Sequence, residues 1–202
     1  MPELKKASVG SYITFGTDEQ DNNTGNGKED IEWLVLAKEN NRLLVISRYA
    51  LDCKPYNKED TSVTWETCTL RKWLNNDFLN AAFSSTEKAM IPTVTVSADK
   101  NPKYSTSPGN ATQDKVFLLS IPEANKYFTS DSSRQCKSTA YAKKQGADTN
   151  NSGICPWWLR SPGSYRGLAA RVTNSGGVYQ TGRRVDFDSS AVRPALWVNL
   201  EP

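Results

Sequence analysis

The sequence predicts an α+β fold, on three observations. Its apolar runs come as strands, then helices, one strand, more helices and finally several short strands, without the regular β-α alternation of a doubly wound parallel sheet. Ile31 to Ala37 and Arg42 to Ser47 are β-branched runs joined by Lys38-Glu39-Asn40-Asn41, a hairpin signal. Leu70, Trp73, Leu74, Phe78 and Leu79 recur at three and four, the period of a helix with one buried face. With 202 residues, no internal repeat and no long linker, one domain over 1–202 with a sizeable core is expected.

Ser11 to Phe15 alternates as a first strand, and Gly16 to Asp30 is a polar loop rich in Gly, Asn and Asp. The acids of that loop match no calcium-loop spacing, so a solvated loop is expected. Thr64 to Phe83 reads as helix, with Thr69 as its candidate N-cap, and the weak helix formers Asn75-Asn76 allow a split into two. Ser84 with Glu87 forms a capping box, and Ile91-Pro92 ends that helix. Thr93 to Ser97 is a strand and Asp99 to Thr112 a loop. Lys115 to Ser120 is a continuous apolar strand, buried on both faces, which runs into a second capping box at Ser120-Ile121-Pro122-Glu123. Ser138 to Gln145 is a short helix stopped by Gly146. Five short strand candidates follow: Trp157 to Arg160, Leu168 to Thr173, Val178 to Thr181, Arg184 to Phe187 and Ala191 to Asn199. Asn174-Ser175-Gly176-Gly177 turns the second into the third. Trp65, Trp73, Trp157, Trp158 and Trp197 are assigned to the core.

The totals exclude several functions. A net charge of +3 is too small to imply nucleic acid. No apolar run approaches the ~18 residues of a membrane span, and no signal-peptide core follows Met-Pro-Glu-Leu-Lys-Lys, so a cytoplasmic or phage-particle location is expected. The chain has no histidine, which removes the commonest general base and transition-metal ligand. Cys53, Cys68, Cys136 and Cys155 match no zinc spacing and are expected to be reduced, buried thiols. No catalytic residue, metal or cofactor is assigned.

One segment, Trp157 to Val198, concentrates the signal. Between Ser161 and Leu196 five Arg face two Asp, so the whole net charge of the chain resides there. Aromatic-rich ends around a Gly/Ser/Tyr/Arg middle are the composition of a presented binding surface.

Trp158-Leu159-Arg160-Ser161-Pro162-Gly163, followed roughly thirty residues on by Val192-Arg193-Pro194-Ala195-Leu196-Trp197, resembles a family of bacterial and phage domains of unknown function common in gut bacteria. Ser8-Val9-Gly10-Ser11-Tyr12, Ile31-Glu32-Trp33-Leu34-Val35-Leu36, Thr69-Leu70-Arg71-Lys72-Trp73-Leu74-Asn75 and Asp114 to Ser120 match the same pattern, so the resemblance covers nearly the whole chain. Ala191 stands where the family pattern has Gly. The C-terminal half is similar to C-type lectin-like domains of the branch that holds formylglycine-generating enzymes and the variable proteins of diversity-generating retroelements. That resemblance implies a C-type lectin-like fold with a ligand-presenting segment at 157–198. The enzyme branch needs a close copper-binding cysteine pair near the C-terminus, whereas Cys136 and Cys155 are nineteen apart and no cysteine follows. The Glu-Pro-Asn, Gln-Pro-Asp and Trp-Asn-Asp triplets of calcium-dependent sugar binding are absent. Adenine-directed change of Asn codons cannot yield Lys, Glu, Met or Trp. None occurs between Ser161 and Leu196, against fifteen Lys and ten Glu elsewhere; Gln180 is the residue against.

The resulting expectation is a non-enzymatic binder of a protein or cell-surface ligand. Period-two alternation turns Val172, Val178 and Val185 inward and Arg171, Thr173 and Tyr179 outward. The expected contact residues are Tyr165, Arg166, Leu168, Arg171, Thr173, Tyr179, Arg183, Asp186, Phe187 and Asp188, since Tyr and Arg most often anchor interfaces. Arg160 and Arg193 are expected to bond loop carbonyls or an internal carboxylate. The alternatives are an enzyme on a formylglycine-generating-enzyme-related scaffold and a structural or assembly domain.

Overall fold

The computed structural model describes residues 2–201 and is a mixed α+β structure with mostly antiparallel sheets and few, short helices. After α1 (Pro2–Lys6) come β1 (Tyr12–Asp18), β2 (Glu29–Glu39), β3 (Arg42–Ser47) and β4 (Asp52–Cys53). The middle holds α2 (Thr69–Trp73), α3 (Leu79–Ala82), α4 (Ser85–Met90), β5 (Val94–Val96), β6 (Thr112–Asp114), β7 (Val116–Phe117), α5 (Ile121–Tyr127), α6 (Asp131–Arg134), β8 (Cys136–Lys137), α7 (Ala140–Lys144) and β9 (Ile154–Cys155). The last part is all strand: β10 (Trp157–Pro162), β11 (Leu168–Val172), β12 (Val178–Arg184), β13 (Ala191–Val192) and β14 (Ala195–Asn199).

The strands form two five-stranded sheets, ordered β1-β2-β3-β14-β7 and β12-β11-β10-β13-β4, with β5-β6 and β8-β9 as separate ribbons. Only the β10–β13 contact is parallel among the named strands. Trp33, Trp157 and Trp158 are fully buried, each worth about 2–3 kcal/mol of apolar transfer. Their indole N–H groups are satisfied by the carbonyls of Phe15 (2.7 Å), Arg134 (3.1 Å) and Lys54 (2.9 Å), as buried tryptophans require.

Both capping boxes form, at Ser84/Glu87 and Ser120/Glu123, and a third at Ser130/Ser133 starts α6, an unexpected helix. Several expectations need correction. Thr69 is the first residue of α2, not its N-cap. Cys68 holds that position with no side-chain bond, while the Thr69 hydroxyl accepts from Lys58 N–H. The helix does not split at Asn75-Asn76 but widens into a π-turn over Leu74–Phe78. There the Asn75 side chain accepts from the N–H groups of Lys115 and Val116 and donates to Val116 O, so it fastens β7 to the helix. Only Val116–Phe117 of the 115–120 run is strand, because the carbonyls of Leu118 and Leu119 turn to Arg160. Val185 to Phe187 belongs to a turn beyond β12. The 191–199 run breaks at Arg193-Pro194, where proline has no N–H to donate, and its halves join different sheets. Trp73 and Trp197 are half-buried, each covered by a cation: Lys54 Nζ at 4.7 Å and Arg42 Cζ at 4.2 Å from the ring centroids.

Candidate functional site

β10 and β11 lie at the heart of the second sheet, and their register sorts side chains onto two faces. Trp157 pairs with Val172 and Val172 with Val178, so these point together into the core; Val178 is half-buried against it. Arg171 pairs with Tyr179 on the other face. The hairpin between them closes at Gly176, whose φ of +91° and 1.8 Å approach of a would-be Cβ to the Asp131 carbonyl admit only glycine. Arg134 Nε donates to Gly176 O at 2.8 Å, so α6 holds the hairpin tip.

β12 carries a second constraint at Gly182 (φ +84°), where a Cβ would lie 2.7 Å from Ala169 O. Beyond it the 185–190 turn folds back, anchored by Val185 N–H to Gly167 O. A groove of about 550 Å³ results, lined by Leu168, Gly182, Arg183, Arg184, Asp186, Phe187 and Asp188. Phe187 stands half-buried with two guanidiniums on its ring, Arg183 at 4.3 Å and Arg171 at 5.6 Å from the centroid. Arg171 Nη1 donates to Ser190 Oγ at 3.0 Å, while its buried Nε has no acceptor among the described residues. Burial, and then the like charge of Arg183, lowers the Arg171 pKa.

The structure thus brings together Leu168, Arg171, Tyr179, Arg183, Asp186, Phe187 and Asp188. Asp186 accepts two bonds from Arg184, at 3.0 and 2.6 Å, so its charge is already neutralised. Tyr165 is 58 % exposed on the adjoining loop. Arg166 turns away to Ser107, and Thr173 is spent inside the hairpin turn on Ser175 and Gly177. Sequence reasoning missed Arg184 and the loop 99–112 beside β12. Asn101, fully buried, donates to the carbonyls of Pro162, Gly163 and Gln180 and accepts from Lys103 and Tyr104 N–H. Tyr104 then reaches Thr181 Oγ1 at 2.8 Å and extends the exposed face. An aromatic in a Pro/Gly loop was the available signal for Tyr104.

Arg160 and Arg193 frame this face from inside. Arg160 is buried and pairs with Glu123, with Leu118 O and Ser97 O as further acceptors. Arg193 donates to Ser47 O.

A family model, Domain of unknown function (DUF6273), matches residues 40–200. The chain belongs to this family. No curated protein and no solved structure matches it. β1 and β2 precede the stretch matched to the DUF6273 domain, yet they pair into the same sheet as β3 and β14.

Several clustered or buried ionisable groups of the chain do not line the groove. Glu19, Asp21 and Glu29 bring one oxygen each within 4.8 Å of one another, and these carboxylates accept from the backbone N–H groups of Gln20, Asp21 and Asn23. Burial raises Asp18 to about 6 and raises Asp52 as well. All four thiols are free and buried, and burial raises the pKa of each, Cys53 and Cys68 to about 12. Among the described residues no helix is long and apolar enough to cross a membrane.

Proposed function

We propose that this DUF6273 domain is a non-enzymatic binding protein of C-type lectin-like architecture that recognises a protein or cell-surface ligand through its C-terminal face. The observation that carries the reading is the side-by-side placement of Tyr179, Arg171 and Arg183 on β11 and β12, with Phe187 of the following turn against both guanidiniums, while Trp157, Val172 and Val178 face the core. Rigid backbone below and Tyr, Arg and Phe above give large contact area at low entropic cost. Three of the five arginines between Ser161 and Leu196 are engaged elsewhere, Arg193 in the core, Arg184 on Asp186 and Arg166 on Ser107, which leaves Arg171 and Arg183 for a ligand.

The sharper form is that a retroelement diversifies this segment. In support, the exposed and half-exposed positions between Ser161 and Leu196 carry Tyr, Arg, Thr, Asp and Phe, all reachable from Asn codons by change at adenine, and no Lys or Glu; the half-exposed Gln180 is the exception.

Binding of the fluorescent domain to a panel of intact gut bacteria tests the face. The combined variant Tyr165→Ala, Arg171→Ala, Tyr179→Ala, Phe187→Ala should lose at least tenfold in affinity for the strain bound. Undiminished binding would place recognition elsewhere. Sequencing the flanking DNA tests the sharper form. A near-copy of the 157–198 coding stretch, differing only at adenines and beside a reverse-transcriptase gene, is expected, and its absence removes diversification.

A further inference from the structure

We propose that the groove beside β12, which Arg183 lines, and the adjoining Arg171 take a carboxylate, an Asp or Glu side chain of a protein ligand, beside the ring of Phe187. The inference rests on the reading of this face as a binding surface and names the chemistry it selects.

Three observations carry it. Two guanidiniums converge on one aromatic ring, Arg183 at 4.3 Å and Arg171 at 5.6 Å, although like charges repel. Among the described residues neither forms an ion pair, whereas Arg160 and Arg184 on the same sheet both do. Asp148, the acid whose charge acts on Arg171, makes no ion pair with it. Third, Arg171 Nε is buried without an acceptor, and a buried donor left unpaired is costly, so an incoming acceptor recovers that cost.

The groove favours carboxylate over phosphate. A guanidinium edge matches the two coplanar oxygens of a carboxylate. The Phe187 ring and the half-buried Leu168 add apolar wall for the methylenes of an acidic side chain.

The test follows the arginine Nε–H resonances of the 15N-labelled full chain at constant ionic strength. Three probes are titrated: N-acetyl-triglutamate amide, its triglutamine counterpart, and inorganic phosphate. The triglutamate probe should shift the Arg171 resonance saturably, at a concentration at least tenfold below that for phosphate, and triglutamine should not shift it. Arg171→Gln with Arg183→Gln should raise the triglutamate dissociation constant at least tenfold, while Lys72→Gln on α2 leaves it unchanged. No saturable shift in the wild-type chain, or tighter binding of phosphate, overturns the inference whether or not the double variant folds. Because the wild-type chain is titrated directly, such a failure stands apart from a failure of the four-residue variant to lose cell binding, which would sink the broader reading.

Discussion

Asp18 ends β1 with its carboxyl largely withdrawn from water. Desolvation raises its pKa from 3.8 to about 6; the Glu19 N–H and Lys28 oppose the shift, and Asp52 and Glu19 reinforce it. The folded chain therefore holds this proton more tightly than the unfolded chain. The stability it contributes is fully present below the unfolded value and is lost as pH rises through about 6. Allowing for solvent screening of a partly exposed group, the loss is about 1–2 kcal/mol between pH 4 and pH 7. Urea midpoints of the wild-type chain and Asp18→Asn, compared across that range, isolate the contribution from other carboxyls. The variant should gain relative to wild type as pH rises, and a pH-independent difference would show that Asp18 titrates normally. The same desolvation acts on Arg171, but no internal change of protonation relieves an arginine.

At the level of elements, the exposed face depends on a loop that contributes few apolar residues of its own. Asn101 clips the 99–112 loop to β10 and β12 through three carbonyls and closes its own turn through two N–H groups. Asn101→Ala leaves those groups unsatisfied in a dry site, for a cost of about 2–4 kcal/mol. A urea titration should show that loss, and limited proteolysis should cut the variant first between 99 and 112; resistance equal to wild type would mean that the clip is dispensable. From sequence, Asn101 looks like any polar loop residue, because its burial comes from carbonyls some sixty to eighty residues away. The elements that were legible are those whose cause is local. The β2–β3 hairpin, both capping boxes and the β11–β12 hairpin each carry their own turn or cap residues. Period two likewise placed Arg171 and Tyr179 on one face. The closure of Phe187 beneath Arg183 was not legible, since it depends on the positive φ of Gly182 and on the Val185–Gly167 bond.

On the scale of the whole molecule, the two sheets share one joint. β13 pairs with β10 and β4 in the second sheet, and two residues later β14 enters the first between β3 and β7. Arg193 sits at that crossing, 4 % exposed, with its guanidinium 5.0 Å from the Trp157 centroid and 5.3 Å from that of Phe128. It donates to Ser47 O at the end of β3, so one side chain touches the aromatic core under the second sheet and the backbone of the first. Ser47 N–H in turn donates to Pro194 O, which locks the crossing from the other side. A buried cation held by ring faces and carbonyls is lost only at the combined cost of packing and hydrogen bonds to a charged donor. Arg193→Ala should therefore destabilise the chain by about 3–5 kcal/mol. Because the joint serves both sheets, tryptophan fluorescence and far-ultraviolet circular dichroism should report coincident unfolding in wild type and variant alike, with the variant midpoint lower. A loss below about 1 kcal/mol would remove Arg193 from this role. Two separated transitions in the variant would instead show that the two sheets unfold independently once Arg193 no longer joins them.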